Sequence, residues 1–348
     1  MMKVLVTGGA GYIGSHTSLA LLESGFEVVS LDNFSNSSPD SLARVEKLAG
    51  RKVISIEGDL ADRLLLRRLF SEHADVSAVI HFAAFKAVGE STFQPLSYYR
   101  NNVSGSIALL EEMQSAKVRN LVFSSSCTVY GEPEKVPISE DFPTGQVSSP
   151  YGRTKYMMEE IIRDHSNANS DFHAAILRYF NPVGAHPSGK IGEDPTGVPD
   201  NLVPFLCQVA TGKLKKLRVF GVDYPTKDGT AIRDYLHVVD LAEAHLCALK
   251  SLVKDKAGFM CNLGTGKGSS VLEVIAAFER ANGIKIPYEV VARREGDVTE
   301  AWADPAYAEK LLNWKARHTL EEMLADAWRW QSANPDGYSE KASSAVKP

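Results

Sequence analysis

A doubly wound α/β fold, in which a parallel sheet is followed by a smaller C-terminal α/β lobe, is predicted by three features of the sequence. Over the first 180 residues, short β-branched runs alternate with helical segments five or six times. Strand–helix–strand repetition of this kind favours parallel strands joined by crossover helices. A glycine-rich turn, VTGGAGYIG, separates the first strand from the first helix. After residue 180 the alternation gives way to loops rich in Gly, Pro and Asp, and helices return later. The expected division is residues 1–180, a lobe over 181–338 and a loose polar tail at 339–348.

Taken in order, the strands are KVLVTG (3–8), EVVSLD (27–32), KVISIEG (52–58), AVIHFA (78–83), NLVFSSS (120–126) and AAILRYF (174–180). Helical spacing runs from Ile13 to Ser24 and from Leu64 to His73. Ser149 as cap, Pro150 at the first position and the stripe Met157, Met158, Ile161 and Ile162 predict a helix with Tyr151 in its first turn. Later helices are expected near 201–212, 240–253, 271–282 and 319–334, and no internal repeat is evident.

At 348 residues and 44% hydrophobic, the chain buries a full core and is long for one average domain. Its 38 basic and 43 acidic residues are well mixed, giving a net charge of −5. There is no basic stripe for nucleic acid and no apolar run long enough for a membrane span. The start, MMKVLVTGG, enters a strand without the regions of a signal peptide. A cytoplasmic protein is expected. Cys127, Cys207, Cys247 and Cys261 lack C-x-x-C spacing and read as reduced thiols, and the nine histidines form no metal motif.

The glycines at 8, 11 and 14 sit where a strand turns into a helix. There they permit a tight turn and close approach of a pyrophosphate to the helix N–H groups. Asp32 closes the next strand, where a carboxylate binds an adenosine ribose and repels a 2′-phosphate, so NAD is expected over NADP. The plainer alternative for Asp32 is a strand-end turn former. Tyr151 and Lys155, four apart, share a helix face. The helix's positive end and the ammonium both favour a phenolate, whose reference pKa is about 10. Alone, the two residues read equally as a surface pair.

The glycine turn, EGDL (57–60), HFAAFKAVGES (81–91), FSSSCTVYG (123–131), the Tyr-x-x-x-Lys spacing and LRYFNPVGAHPSG (177–189) together resemble the extended short-chain dehydrogenase/reductase family. GEDP (192–195), FGVDYPTKDGTAIRDYLHVVDLA (220–242) and RREGD (293–297) narrow the resemblance, over about residues 3 to 338, to its branch that epimerises UDP-hexoses at C4. The resemblance implies a Rossmann-type NAD domain, a UDP-sugar-binding lobe, and interconversion of UDP-galactose and UDP-glucose by transient oxidation with tightly bound NAD.

By the same resemblance, Gly8, Gly11, Tyr12, Ile13 and Gly14 hold the pyrophosphate, with Asp32, Asn33 and Asn36 on the adenosine side. Asp59 and Leu60 meet the adenine, while Phe82, Ala83 and Lys86 line the way to the nicotinamide. Asn101, Lys155 and Phe180 complete the cofactor site, which Ser126 and Tyr151 share with the substrate. Tyr151, Lys155 and Ser126 are the catalytic residues, and Thr128 is a helper. Asn181, Asn201, Leu202, Arg233, Arg294 and Asp297 face the UDP-sugar. Paired arginines suit its diphosphate.

Two other activities fit the same fold. A nucleotide-sugar 4,6-dehydratase needs a carboxylate just after the catalytic hydroxyl, where Cys127 and Thr128 stand. A non-catalytic NAD sensor has no need of the Tyr–Lys pair. One departure concerns Ala301, where several epimerases of this kind carry an aromatic residue closing the sugar pocket. The methyl side chain opens room for N-acetylated UDP-hexoses, unless neighbouring Trp302 fills the gap. The resemblance also implies a homodimer formed through Pro95 to Ala116 and the Tyr151 helix, whose apolar stripe reads equally as intramolecular core.

Overall fold

The computed structural model describes residues 2–294 and 296–338, so the tail expected at 339–348 lies outside the described residues. The first half of the chain opens with β1 (Lys3–Thr7), α1 (Tyr12–Glu23), β2 (Glu27–Asp32), α2 (Pro39–Ala49), β3 (Val53–Glu57), α3 (Arg63–Glu72) and β4 (Val76–His81). It continues with α4 (Val88–Phe93), α5 (Pro95–Tyr98), a π-helical turn (Tyr99–Ser104), α6 (Gly105–Ser115), β5 (Asn120–Ser124), a 3-10 turn (Cys127–Tyr130), α7 (Pro150–Ala168) and β6 (His173–Tyr179). The second half holds β7 (Asn181–Val183), α8 (Leu202–Ala210), β8 (Leu217–Phe220), β9 (Ile232–His237), α9 (Val238–Asp255), β10 (Phe259–Leu263) and β11 (Gly268–Ser270). It ends with α10 (Val271–Asn282), β12 (Tyr288–Val291), β13 (Glu300–Ala301), α11 (Ala306–Leu312) and α12 (Leu320–Ala333).

The large sheet has seven parallel strands in the order β10-β6-β5-β4-β1-β2-β3. Successive strand residues point to opposite faces, so each central strand feeds two cores. Val4 and Val6 pack with Leu19, Leu241 and Leu249 on one face, while Leu5 packs with Leu66, Leu109 and Met158 on the other. The strand order reverses between β1 and β4. In doubly wound sheets ligands bind beyond the carboxyl ends of the strands at such a reversal.

The smaller lobe is built on β9, flanked by β7, β11 and β13, with β12 and β8 as a separate parallel pair. Packed against it, α8, α10 and α12 close a third core containing Val203, Leu206, Phe278 and Leu324. Both α10 and α12 start in a capping box, Ser270 with Glu273 and Thr319 with Glu322.

One expectation is corrected. The stretch 181–338 is not a single lobe, because α9 packs on α1 and β10 pairs with β6, from Phe259 opposite Ala175 to Leu263 opposite Tyr179. The run FMCNL has no β-branched residue and no alternation, so nothing local marks it as a sheet strand. Among the described residues no helix is long and apolar enough to cross a membrane, and no cluster of three or more His, Cys, Asp or Glu could hold a metal ion.

Candidate active site

The glycine turn is packed against the end of β4. Gly8 has a φ of 68°, and a Cβ there would sit 2.8 Å from the Ala83 nitrogen; one on Gly14 would overlap the Gly8 carbonyl oxygen. No side chain caps α1 at Gly11 and its first turn carries no acidic residue, so the helix presents its positive end to the strand-order reversal. That cradle fits a pyrophosphate.

Asp32, 8% exposed at the end of β2, accepts from the Ala10 nitrogen (3.0 Å), the Phe34 nitrogen (3.0 Å) and Ser37 Oγ (2.8 Å). It therefore fixes the glycine turn and the loop after β2 together. Asn33 Nδ2 donates to Asp59 Oδ2 at 2.7 Å, and Leu60 is buried beside Gly105, which gathers these residues along the ends of β2 and β3. Asn36 lies further out, accepting from Thr196 Oγ1 at 3.0 Å.

On the other side of the cradle, the Phe82 and Ala83 nitrogens donate to the Thr7 carbonyl, and the Phe82 ring meets His245 at 4.7 Å. Lys86 reaches across to Glu193 Oε1 at 2.8 Å. Asn101 donates to Asn102 Oδ1 at 2.8 Å, and the Asn102 side chain clamps both backbone polar groups of Phe85. Phe180 is buried, with its nitrogen bonded to the Leu263 carbonyl.

The helix α7 begins as its sequence directs. Ser149 Oγ accepts from the Gly152 nitrogen at 3.1 Å and Pro150 takes the first turn, so Tyr151 and Lys155 face inward, 7% and 4% exposed. Lys155 Nζ donates to the Ser124 carbonyl at 2.7 Å and lies 5.0 Å from the Phe123 ring centre. Ser126, close enough to Tyr151 to favour its phenolate, accepts from Thr128 through both its nitrogen (3.2 Å) and its Oγ1 (3.0 Å).

The electrostatics correct a second expectation. Burial drives the Tyr151 phenol far above its ordinary pKa, and neighbouring Tyr179 adds to the rise; the Ser126 bond only partly opposes it. A favoured phenolate was expected from the helix end and the ammonium. Desolvation outweighs both, because the phenol is enclosed and the Lys155 ammonium is engaged by a carbonyl. Burial also pushes Lys155 down to about 8, against the opposing charge of Glu159.

On the substrate side, Arg233 on β9 stands 3.8 Å from Asp297 Oδ1, and Arg294 stacks 4.4 Å over the Phe220 ring. The Asp297 nitrogen donates back to the Arg294 carbonyl. Asn201 and Leu202 open α8, with Asn201 Nδ2 3.4 Å from Glu193 Oε1, while Asn181 starts β7 opposite Tyr235. Ala301 lies opposite Arg233 in the β13–β9 pair and packs with Val129, Phe180 and half-buried Cys127. The Trp302 ring covers Gly268, where a Cβ would come within 2.7 Å of it, so it packs against β11 instead of filling the space at Ala301.

Several participants were missed in the sequence. Tyr179 shares a hydrogen bond of 2.8 Å with Ser124 Oγ, and Asn102 and Glu193 tie the cofactor loop to its surroundings. The signal for Tyr179 was its place beside Phe180 at a strand's carboxyl end. Glu193 lies in the quoted GEDP block. Together the residues can bind a dinucleotide, anchor a second anion by two arginines and move a proton at a buried phenol.

The comparisons agree with that capacity. Residues 4–264 match the family model for the NAD dependent epimerase/dehydratase family. The chain is 55% identical to the UDP-glucose 4-epimerase of Bacillus subtilis (strain 168), over 97% of this chain and 99% of that one. Among solved structures it is similar to a UDP-glucose-4-epimerase from Stenotrophomonas maltophila with bound NAD and formylated UDP-arabinopyranose (TM-score 0.94, 49% identity, 96% and 99% of the two chains). It is likewise similar to the enzyme from Bifidobacterium longum in complex with NAD+ and UDP (TM-score 0.93, 48% identity, 97% and 100%).

Proposed function

The chain belongs to the NAD dependent epimerase/dehydratase family, and we propose that it is an isomerase that interconverts UDP-galactose and UDP-glucose by inversion at C4. What carries this is one combination: Tyr151 and Lys155 buried one turn apart on α7, with the Ser124 carbonyl on the ammonium and Ser126 acting on the phenol, together with the anion cradle of α1 and the Arg233–Asp297 pair beside Arg294. NAD, when bound, supplies the acceptor and donor of hydride that lets an unactivated sugar carbon invert.

The chain's own residues do the rest. The glycine turn and α1 hold the pyrophosphate, Asp32, Asn33 and Asp59 lie along the adenosine side, and Lys86, Asn101 and Phe180 border the nicotinamide end. Arg233 and Arg294 hold the diphosphate by paired hydrogen bonds while the sugar is left free to turn. Ser126 orients the reacting oxygen and Tyr151, in its phenolate form, takes the 4-hydroxyl proton, with the Lys155 ammonium stabilising that phenolate. The phenol, whose pKa is raised, then holds that proton until hydride returns to C4 and makes the C4 oxygen the stronger base.

Dehydration is disfavoured because Cys127 and Thr128 supply no carboxylate beside Ser126, and the intact Tyr–Lys pair argues against a mere NAD sensor. The small side chain of Ala301, with the Trp302 ring packed against Gly268 rather than over Ala301, supports a second reading in which UDP-N-acetylgalactosamine and UDP-N-acetylglucosamine are substrates as well. Residues 1–180 with α9 and β10 form the NAD-binding unit, and the rest of 181–338 binds the UDP-sugar. Exposed Phe93, Leu96 and Met157, on α4, α5 and α7, support a homodimer through these helices. A cytoplasmic location fits the four free cysteines.

The test is a side-by-side assay of purified protein on UDP-galactose and UDP-N-acetylgalactosamine with no added nicotinamide. Formation of UDP-glucose is expected. Failure on both substrates, even after NAD is supplied, overturns the substrate assignment.

A further inference from the structure

The catalytic helix carries a third buried polar residue in line with Tyr151 and Lys155. Glu159, one turn beyond Lys155, is fully enclosed. Its Oε1 accepts from Ser125 Oγ at 2.5 Å and Arg178 Nε at 2.9 Å; its Oε2 accepts from Arg178 Nη2 at 2.5 Å and Arg163 Nη2 at 2.9 Å. Arg178, on β6 and 1% exposed, also donates to Tyr130 Oη at 2.9 Å, which donates to Asn262 Oδ1 at 2.7 Å. A buried ion pair is a poor source of stability, since apolar residues of the same volume fill such a site as well or better. Nothing in the proton and hydride chemistry uses this pair directly.

Its position is informative. Ser125 lies between the two groups that meet the catalytic pair: the Ser124 carbonyl takes the Lys155 ammonium at 2.7 Å, and the Ser126 hydroxyl lies close enough to Tyr151 to favour its phenolate. The Ser125 nitrogen is in turn held by the Leu177 carbonyl, next to Arg178. One carboxylate on α7 thus grips the residue that separates both partners of the catalytic side chains on that same helix.

We propose that Glu159 is a positioning residue for the reaction: through Ser125 it locks the end of β5 to α7, so that the Ser124 carbonyl and Ser126 hydroxyl meet Lys155 and Tyr151 at fixed separations, while Arg178 neutralises the carboxylate. This rests on the reading that Tyr151 and Lys155 handle the sugar proton. Lys155 is faced by Tyr151 and Glu159 on α7, by His81 on β4 and, through Ser124, by Tyr179 on β6. Among these, Glu159 is the acid that favours its charged form.

Two variants test the assignment. Ser125→Ala removes one hydroxyl and leaves the Arg178–Glu159 pair intact. Its kcat on UDP-galactose should fall about tenfold or more, with KM unchanged within about twofold and Tm preserved, since small misplacements of catalytic groups cost rate rather than binding. In Glu159→Gln, the Lys155 titration midpoint, followed by NMR of lysine-labelled protein, should fall by about one pH unit from its value near 8, taking the alkaline limb of kcat with it. A Ser125→Ala enzyme with unchanged kcat, or one losing kcat, substrate affinity and Tm together, overturns the proposal. So does an unmoved Lys155 midpoint in Glu159→Gln. If Glu159→Gln fails to fold, Ser125→Ala still decides. Because the NMR titration needs no turnover, inactivity of the unaltered protein on UDP-galactose would sink the functional reading alone, and the Lys155 midpoint would still judge the positioning.

Discussion

Lys155, assigned to turnover by the proposed function, works against stability. Its pKa near 8 in the folded protein lies below the 10.5 of a free lysine, so between those values the unfolded chain binds more protons and stability rises with pH. At pH 7 the buried ammonium costs about 3 kcal/mol, partly recovered through the Ser124 bond. Lys155→Met should therefore abolish turnover yet stabilise the protein by about 2 kcal/mol at pH 7, as read in urea unfolding. A less stable variant would contradict this. Turnover by the unaltered protein should decline above about pH 8 as the ammonium is lost. Ala301 makes a different prediction. Ala301→Tyr fills the space beside Phe180 and Cys127 and should cut turnover of the N-acetylated UDP-hexoses selectively; equal loss on both substrate pairs would remove the second reading.

Two elements, α1 and α7, set the site. Ser149→Ala removes the α7 cap, and an expected loss of about 1 kcal/mol in thermal or urea unfolding should be accompanied by reduced kcat, because Tyr151 lies in the freed turn. Gly14→Ala drives a methyl into the Gly8 carbonyl and should abolish NAD retention, measured as nucleotide released on denaturation; an unchanged yield would sink the cradle. Both helices were legible in the sequence, α7 through Ser149, Pro150 and its apolar stripe, and α1 through its glycines. Their signals are local, depending on a cap or a turn within a few residues. What was illegible depends on distant packing. Neither β10, whose FMCNL gains strand character only by pairing with β6, nor the place of Trp302 over Gly268 follows from neighbouring sequence. The phenol's pKa was misjudged for the same reason, since its burial and the nearness of Tyr179 are tertiary properties.

At the scale of the molecule, three histidines buried without charge tie stability to pH. His81, held between Thr7 Oγ1 (2.6 Å) and Ser106 Oγ (2.8 Å), is pushed down to about 3, His16 to about 3 and His245 to about 4. In the unfolded chain they protonate near 6.5, so unfolding takes up protons and stability falls as pH drops below that value. Asp234, raised to about 6, opposes one of them. These four groups alone give a slope of about 3 kcal/mol per unit near pH 5, and urea midpoints should fall as pH drops through that region. A flat profile would contradict the buried neutral histidines. On the proposed function the cofactor cradle comes from α1 on the large sheet and the diphosphate arginines from the smaller lobe, and the packing of α9 on α1 and of β10 on β6 ties the second half of the chain to the first. On that function, C4 is oxidised and reduced within the site without exchange with solvent. This is tested most directly by converting UDP-galactose labelled with deuterium at C4 in ordinary water and analysing the UDP-glucose formed. Retention of the label at C4 is predicted, and its replacement by solvent hydrogen would contradict inversion by transient oxidation.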